Sequence, residues 1–312
     1  MRTAYIFPGQ GSQYVGMARE FIESDSETRK ALENFRLRTG YDLEAIMLEG
    51  PEDKLKETRF TQPAILLHSF SAFKLFQKRW GKRADYVAGH SLGEFSALVA
   101  NGCLSPDDAM YLVHKRGEFM IRASEGQSYA MAAIIGLAPG EVVAICEKAA
   151  SAGIVIAANF NTPVQTVISG TEEGVGQAME LAREAGAKRV VPLIVGGAFH
   201  SPLVAKAEIW LREEMDKLEF KKAEIPVVAN VDAKVYINPE DIKNNLGKQI
   251  YSSVKWLDSV NFMIAKGVGI FVEFGPQSVL SGMLRKIDRN VITLNVEKPE
   301  DIAGVCAQLE EL

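Results

Sequence analysis

Ser91 lies at the centre of a Gly-His-Ser-Leu-Gly sequence, residues 89–93, which has the spacing of a nucleophile elbow. The apolar run 86–88 precedes this sequence and a helix-like run, 94–100, follows it. In such a strand–turn–helix the turn is so sharp that Cβ atoms at Gly89 and Gly93 would collide with neighbouring backbone. The pattern predicts an exposed Ser91 hydroxyl at the tip of the turn, beside main-chain N–H groups that can stabilise negative charge.

A glycine-rich loop, residues 8–13, follows the first predicted strand at 3–7. Such a loop exposes main-chain N–H groups, which could either bind a phosphate or act as donors in an active site. The sequence matches neither the P-loop nor the dinucleotide-binding glycine pattern. We therefore expect the loop to direct an N–H group towards Ser91.

Arg116 lies on the apolar stripe of a helix that is predicted to begin at Ser105 and Pro106 and to continue to Met120. A buried guanidinium is costly unless it has a partner. The sequence leaves three explanations open. They are an ion pair with a protein carboxylate, a side chain that reaches solvent along its stem, and a binding site for the carboxylate of a substrate.

The histidines differ in their predicted surroundings. His200 lies in a loop where two regions of the chain meet, so it is either a base beside Ser91 or an exposed loop residue. His68 lies on the apolar face of a helix predicted to start with Thr61 as its N-cap, and we interpret it as a core residue. His114 lies off the stripe that carries Arg116 and is predicted to be exposed.

Residues 125–197 have a secondary-structure pattern of their own, β-α-β-β-α-β, which predicts an inserted ferredoxin-like subdomain. Residues 1–124 and 198–312 alternate helices with short apolar strands, which predicts an α/β-hydrolase-like, mostly parallel sheet with covered faces. A substrate would bind between the two parts. Asn159 and Asn161 fall in the predicted connection between the middle strands of the insert. There they either face this cleft or are ordinary turn residues.

Composition excludes several classes of protein. The net charge of -5 disfavours broad affinity for nucleic acid, and no apolar run approaches the roughly 18 residues of a membrane span. The apolar start, 1–8, is interrupted too soon for a signal peptide. Cys103, Cys146 and Cys306 are widely spaced and form no C-x-x-C pair. We therefore expect reduced thiols in a cytoplasmic protein, with no disulfide and no metal site.

An ordered set of segments extends over essentially the whole chain: 7–13, 89–94, Arg116, 198–201, 230–233, Gln249 with 254–256, and 273–276. Each segment alone is a moderate signal. Together they closely resemble the malonyl-CoA:acyl carrier protein transacylases of bacterial fatty acid synthesis, and also the acyltransferase domains of polyketide synthases.

The resemblance implies a two-step acyl transfer through a malonyl-serine intermediate. Ser91 would attack the thioester of malonyl-CoA, and the phosphopantetheine thiol of acyl carrier protein would then take the malonyl group. His200 would act as the general base, held in its tautomer by the main-chain carbonyl of Gln249. The N–H groups of Gln10 and Leu92 would form the oxyanion hole.

The resemblance also assigns the substrate-binding side chains. Arg116 would bind the malonyl carboxylate, and Phe199 would limit the space at the malonyl C2 carbon. Further residues expected to line the substrate site are Met120, Gln62, Asn159 and Asn161. We expect no bound cofactor and a monomer, with malonyl-CoA as substrate and holo-acyl carrier protein as partner.

Carrier proteins are acidic, so a basic surface should guide them to the site. The candidate basic residues are Lys188, Arg189, Arg285, Lys286 and Arg289. The alternative is that these side chains are only solvated surface charge.

Two other functions share parts of this pattern. A serine hydrolase or thioesterase of the α/β-hydrolase kind shares the elbow, but it would have its histidine near the C-terminus, and no histidine follows His200. A scaffold that only docks carrier proteins would not require Ser91, His200 and Arg116 together.

Overall fold

The computed structural model describes all 312 residues, Met1–Leu312, and contains two β-sheets. The strands are, in chain order, β1 (Arg2–Phe7), β2 (Tyr86–Gly89), β3 (Ala130–Ile135), β4 (Val155–Thr162), β5 (Gln165–Gly170), β6 (Arg189–Leu193), β7 (Val227–Val228), β8 (Val235–Tyr236), β9 (Val268–Phe274) and β10 (Ile292–Val296). The helices are α1 (Arg19–Ser24), α2 (Ser26–Thr39), α3 (Leu43–Glu49), α4 (Glu52–Lys56), α5 (Thr58–Trp80), α6 (Gly93–Ala100), α7 (Pro106–Ser124), α8 (Pro139–Ala149), α9 (Glu172–Glu184), α10 (Lys206–Met215), α11 (Pro239–Gln249), α12 (Trp256–Ala265), α13 (Val279–Ile287) and α14 (Asp301–Glu311). None of these helices has an apolar stretch long enough to span a bilayer.

The larger sheet has six strands in the order β10-β9-β1-β2-β7-β8, and only β8 runs antiparallel to its neighbour. Its central strand β1 alternates between two cores. Tyr5 and Phe7 belong to the main core cluster on one face, whereas Ala4 and Ile6 belong to a second cluster on the other face. All four residues are fully buried, as expected for a parallel strand covered by helices on both sides.

The smaller sheet is antiparallel, with the order β4-β5-β3-β6, and its strands and helices all lie within 125–197. Residues from β3, α8 and α9, such as Ile134, Ile145 and Val175, form a separate core cluster. The order 2-3-1-4 within the unit is that of a ferredoxin-like split β-α-β. The predicted fold class, a mostly parallel sheet with a ferredoxin-like insert, is confirmed.

The predicted position of Asn159 and Asn161 in a connection is wrong, because both residues belong to strand β4. This strand extends beyond its predicted end because it has partners on both sides. It pairs with β5 along one edge, and on the other edge the main chain of Phe160 and Ala158 bonds to Val254 of the larger part. The second pairing joins residues far apart in sequence, so local pattern does not predict it.

The predicted N-cap at Thr61 is also wrong, since α5 begins at Thr58 and Thr61 lies within it. The Thr61 hydroxyl bonds to the carbonyl oxygens of Leu55 and Glu57 in the preceding turn. Pro63 is therefore inside the helix, where it has no N–H to donate to the carbonyl four residues earlier, that of Arg59.

His114, predicted to be exposed, is buried, and its Nδ1 is 2.8 Å from the free carbonyl oxygen of Arg59. A carbonyl only accepts, so Nδ1–H donates and replaces the hydrogen bond that Pro63 cannot make. The rings of Phe35 and Tyr41 pack against the imidazole. The prediction failed because α7 is covered on a second face by α2, and periodicity identifies only the most apolar face.

His68 is confirmed as a core residue, and it offers a test of stability against pH. Burial lowers its pKa to about 4 from 6.5. Between these values the unfolded chain binds a proton that the folded protein does not, so stability falls as pH falls. His68 should contribute a slope of about 1.4 kcal/mol per pH unit to the free energy of unfolding.

Urea unfolding of the wild type and His68→Gln at several pH values would measure this slope. The substitution keeps a side-chain N–H for the carbonyl of Glu297, which His68 Nε2 contacts at 2.7 Å. We expect a flatter pH dependence for the variant. Parallel curves for the two proteins would contradict the assignment.

Candidate active site

The elbow predicted around Ser91 is confirmed by its backbone. Ser91 follows β2 directly before α6 and has a φ of 51°, in the left-handed region. A Cβ atom on Gly89 would lie 1.9 Å from the carbonyl of Gly93, and one on Gly93 would lie 2.0 Å from the oxygen of Phe7. Neither position can hold a side chain, so the turn requires both glycines.

His200 lies beside the hydroxyl of Ser91. Its Nε2 is 2.8 Å from Ser91 Oγ, and its Nδ1 is 2.9 Å from the main-chain oxygen of Gln249 at the end of α11. Because that oxygen only accepts, Nδ1 carries the proton and Nε2 is free to accept from the serine hydroxyl. The alternative of an exposed loop histidine is wrong, since His200 is buried.

The imidazole of His200 is neutral over the physiological pH range. Burial, together with the positive charge of Arg116, lowers the pKa of His200 to about 3 from 6.5. A neutral imidazole with a free Nε2 is the form that can take a proton from a hydroxyl. The site therefore holds its base in the reactive protonation state before a substrate arrives.

The guanidinium of Arg116 enters the same site from α7. It is 1% exposed, and its Nη2 donates to Ser91 Oγ at 3.0 Å and to Gln249 Oε1 at 2.9 Å, while Nη1 donates to Gln62 Oε1 at 2.8 Å. All three acceptors are neutral, and Nε has no partner. The explanations by an ion pair and by a solvent-reaching stem are therefore wrong.

Burial lowers the pKa of Arg116 to about 10, and the charge of Glu94 acts in the opposite direction. The side chain therefore stays protonated at neutral pH. A buried cation with no anionic partner and an unused donor is suited to bind a carboxylate from outside the protein.

Two main-chain N–H groups beside Ser91 have no hydrogen-bond partner, those of Gln10 and Leu92. Both residues line the same cleft. Gln10 lies in the glycine-rich loop after β1. Its side-chain Nε2 donates to the Thr58 hydroxyl at 3.3 Å. Free N–H groups at this position are available to an oxyanion that forms next to the serine.

The cleft lies between the two sheets. Phe199 and Met120 are buried in its wall, Gln62 reaches it from α5, and Asn159 and Asn161 face it from β4. The turn-residue alternative for the two asparagines is wrong. Of the eleven residues predicted for the site, ten line this cleft, and Gln249 lies beneath them, fully buried.

With this geometry in place, the chain can be compared with known proteins. The acyl transferase domain family matches residues 4–304. The malonyl CoA-acyl carrier protein transacylase of Bacillus subtilis is 43% identical over 99% of this chain and 98% of its own length. This chain belongs to the malonyl CoA-acyl carrier protein transacylase family.

Solved structures of this transacylase family agree closely with the fold. The Coxiella burnetii transacylase superposes with a TM-score of 0.95 at 35% identity, covering 99% of this chain and 98% of the other. A malonyl-transacylase in complex with a type II PKS acyl-carrier protein superposes with a TM-score of 0.94 at 36% identity. That match covers 99% of this chain and 100% of the other.

Three residues near the centre of this transacylase site were not predicted from the sequence. His90 is buried in the cleft wall, and its Nε2 is 2.8 Å from Asn161 Oδ1. Asn230 accepts from the N–H of Ser91 at 2.7 Å, and Glu94 accepts from the N–H of Asn230 at 3.0 Å. Each of the three belongs to a segment that carries the resemblance, which was the only available signal.

Proposed function

We propose that this protein transfers a malonyl group from malonyl-CoA to the phosphopantetheine thiol of acyl carrier protein through a malonyl ester on Ser91. One observation carries the proposal. The Ser91 hydroxyl lies 2.8 Å from a neutral imidazole and 3.0 Å from a buried guanidinium that has no carboxylate partner. The first contact activates a nucleophile, and the second selects an acyl group that ends in a carboxylate.

In the first step Ser91 Oγ attacks the thioester carbonyl carbon while His200 Nε2 takes the hydroxyl proton. The carbonyl oxygen becomes an oxyanion, and the N–H groups of Gln10 and Leu92 stabilise it, a contribution of about 3–4 kcal/mol per donor in hydrolases. When the tetrahedral intermediate collapses, the C–S bond breaks and the imidazolium returns its proton to the leaving thiolate. The products of this step are CoA and the malonyl ester.

In the second step the thiol of the carrier protein attacks the ester carbonyl and His200 takes the thiol proton. The ester C–O bond breaks, and the proton passes to Ser91 Oγ, which restores the free enzyme. The same base serves both steps because the two reactions are chemically the reverse of one another. We propose that the transfer uses side chains and main-chain groups alone, without a cofactor.

The carboxylate of the malonyl group would bind Arg116, whose side chain lines the cleft. A planar guanidinium can bind both carboxylate oxygens, which fixes the acyl group in one orientation. Phe199 lies in the wall next to the base and would limit space at the C2 carbon. One extra methyl in such a pocket is discriminated by roughly 1–3 kcal/mol.

Every group in this mechanism comes from one chain, so we propose that a monomer is sufficient. The three cysteines are unpaired and buried, which agrees with a reducing compartment, and we propose that the protein acts in the cytoplasm. As the carrier partner we propose a holo-acyl carrier protein, because a relative of 36% identity was solved with one.

The proposed function is tested by incubating the protein with malonyl-CoA, with and without a holo-carrier protein. We expect a mass gain of one malonyl unit on the protein alone, and its transfer to the carrier thiol when the carrier is present. A thioesterase would instead release CoA steadily without a carrier. A carrier-docking scaffold would show no covalent gain.

Replacing His200 with alanine should slow malonyl loading by at least about a hundredfold, the usual scale for an acid–base group.

The pH dependence of the wild type offers a second test of His200. In the wild type His200 must be neutral to act, and its pKa is about 3. Loading should therefore not decline through protonation of this residue as pH falls from 7 to about 5. Stopped-flow release of CoA measures both effects, and unchanged loading in His200→Ala would remove this residue from the mechanism.

Basic side chains lie on or next to two elements that border the cleft, β6 and α13. All are exposed and none forms an ion pair with a protein carboxylate: Lys188, Arg189, Arg285, Lys286 and Arg289. Lys188 and Arg189 are at the start of β6, whose last residue, Leu193, lines the cleft. Arg285, Lys286 and Arg289 are at the end of α13, where Met283 lines the cleft. We propose that these side chains guide an acidic carrier protein to the cleft.

The double substitution Arg189→Glu and Arg285→Glu should raise the KM for the carrier about tenfold, because it reverses one charge on each of the two elements that border the cleft. Malonyl loading from CoA should change far less. The double reversal Lys222→Glu with Lys266→Glu is the matched control, because both residues are exposed and precede β7 and β9 at the amino ends of the parallel strands. An equal effect of the control would mean that only overall charge matters.

A further inference from the structure

Gln249 contacts all three functional residues of the site through its side-chain amide and its main-chain oxygen. Its Oε1 accepts from Arg116 Nη2 at 2.9 Å, and its Nε2 donates to the main-chain oxygen of Ser91 at 3.1 Å. Its main-chain oxygen accepts from His200 Nδ1 at 2.9 Å. The orientation of this one residue therefore affects the nucleophile, the base and the guanidinium.

A primary amide can be rotated by half a turn, which exchanges its donor and acceptor ends. Gln249 has a reason to keep one orientation, because Nε2 also donates to Glu94 Oε2 at 2.7 Å. Oε2 of Glu94 is an acceptor, since it also accepts from the N–H of Asn230, and it therefore excludes the rotated amide, whose oxygen would face it. Glu94 thereby directs Oε1 of Gln249 towards Arg116.

The same carboxylate oxygen supports the elbow. Glu94 Oε2 accepts from the N–H of Asn230 at 3.0 Å. The Asn230 side chain accepts from the N–H of Ser91 and donates to the oxygen of Gly89, each at 2.7 Å. Glu94 thus positions Asn230 and Gln249, the two residues that bond to the main chain of Ser91 in the elbow.

Glu94 lies in the first turn of α6, but its carboxylate does not cap a helix. Glu273, the other fully buried glutamate, accepts from the N–H groups of Leu280 and Ser281 and so caps the start of α13. Oε2 of Glu94 instead accepts from Asn230 and Gln249, which lie outside its own helix. It is 2% exposed, has no ion pair, and burial raises its pKa to about 7.

The arrangement also explains how a cation and an anion can share one buried site without neutralising each other. Glu94 reaches Arg116 only through the neutral amide of Gln249. A direct ion pair would occupy the guanidinium donors that a substrate carboxylate needs. With an amide between them, the negative charge still favours protonated Arg116, and Nε stays unused.

We propose that Glu94 is a positioning residue for malonyl transfer, which acts through Gln249 on Arg116 and His200 and does not touch the substrate. The inference rests on the proposed function, since it concerns binding of the malonyl carboxylate. It predicts a larger effect on acyl groups that carry a carboxylate than on acyl groups that do not.

The test variant is Glu94→Gln, which conserves size and one acceptor oxygen but removes the charge. Malonyl loading should fall by about tenfold or more relative to acetyl loading, mostly through a higher KM for malonyl-CoA. That factor corresponds to the weaker end of a charge-assisted hydrogen bond. Glu273→Gln is the matched control, and it should lower Tm while leaving the malonyl-to-acetyl ratio unchanged.

A second measurement separates positioning from simple loss of structure. If Glu94 acts through Gln249, the double variant Glu94→Gln with Gln249→Leu should lose little more malonyl preference than Gln249→Leu alone. Equal losses of malonyl and acetyl loading in Glu94→Gln, or additive effects in the double variant, would overturn the proposal. Failure of the wild type to load malonyl would instead refute the proposed function.

Discussion

Replacing Ser91 with alanine is expected to abolish the covalent malonyl-enzyme and to lower the transfer rate by about a million-fold, the scale seen when a serine nucleophile is removed. The reason is that Ser91 Oγ lies 2.8 Å from His200 Nε2, the base that would take its proton. Alanine keeps the backbone of the elbow but supplies no atom to attack the thioester. Intact-protein mass spectrometry after exposure to malonyl-CoA would measure the covalent step directly.

Ser96→Ala is a suitable control for this experiment. Ser96 lies on the same helix, α6, is buried, and its hydroxyl makes no hydrogen bond. Its removal should leave both loading and transfer near wild-type rates. Malonyl ester on the Ser91→Ala variant would show that another residue is the nucleophile.

Replacing Arg116 with alanine is expected to lower malonyl loading by about a hundredfold or more, since a buried charge-assisted pair is lost. Acetyl loading should fall by less than about tenfold, through loss of the hydrogen bond to Ser91 Oγ. The charge of Arg116 also lowers the pKa of His200, so the variant should have a higher pKa at the base. Steady-state loading with both acyl-CoA substrates across a pH series would measure these effects.

Two further arginine variants sharpen the interpretation. Arg116→Lys keeps the charge but cannot bind both carboxylate oxygens in one plane, so its malonyl loading should be intermediate. Arg122→Ala, on the same helix, removes a guanidinium that lies 4.2 Å from the ring centroid of Trp210, and it should leave the malonyl-to-acetyl ratio unchanged. Equal losses for both acyl groups in Arg116→Ala would mean that Arg116 does not bind the carboxylate.

Predictions from the sequence succeeded where the cause is local. The elbow depends on the close approach of main chain at Gly89 and Gly93, which follows from a spacing of four residues. The two parts of the fold follow from short apolar strands that alternate with helices. The roles of His200 and Gln249 came from resemblance, and the contact of His200 Nδ1 with the Gln249 carbonyl has the geometry that the resemblance implies.

Predictions failed where the environment is formed by distant parts of the chain. His114 is buried because α2 covers α7 and because Pro63 leaves a carbonyl free on α5. Asn159 and Asn161 lie in a strand because Val254, almost a hundred residues later, pairs with its outer edge. A window of ten or fifteen residues contains neither partner.

The sequence by itself determined which residues could do chemistry, since a serine between two glycines, a histidine and an arginine on an apolar stripe are local facts. It left open whether Arg116 pairs with a protein acid. Only the tertiary structure decided that its partners are the neutral oxygens of Gln62, Ser91 and Gln249. The physical reason is that the cost of burying a charge depends on what surrounds it. Those surroundings come from α5, the elbow and α11, which meet only in the folded chain.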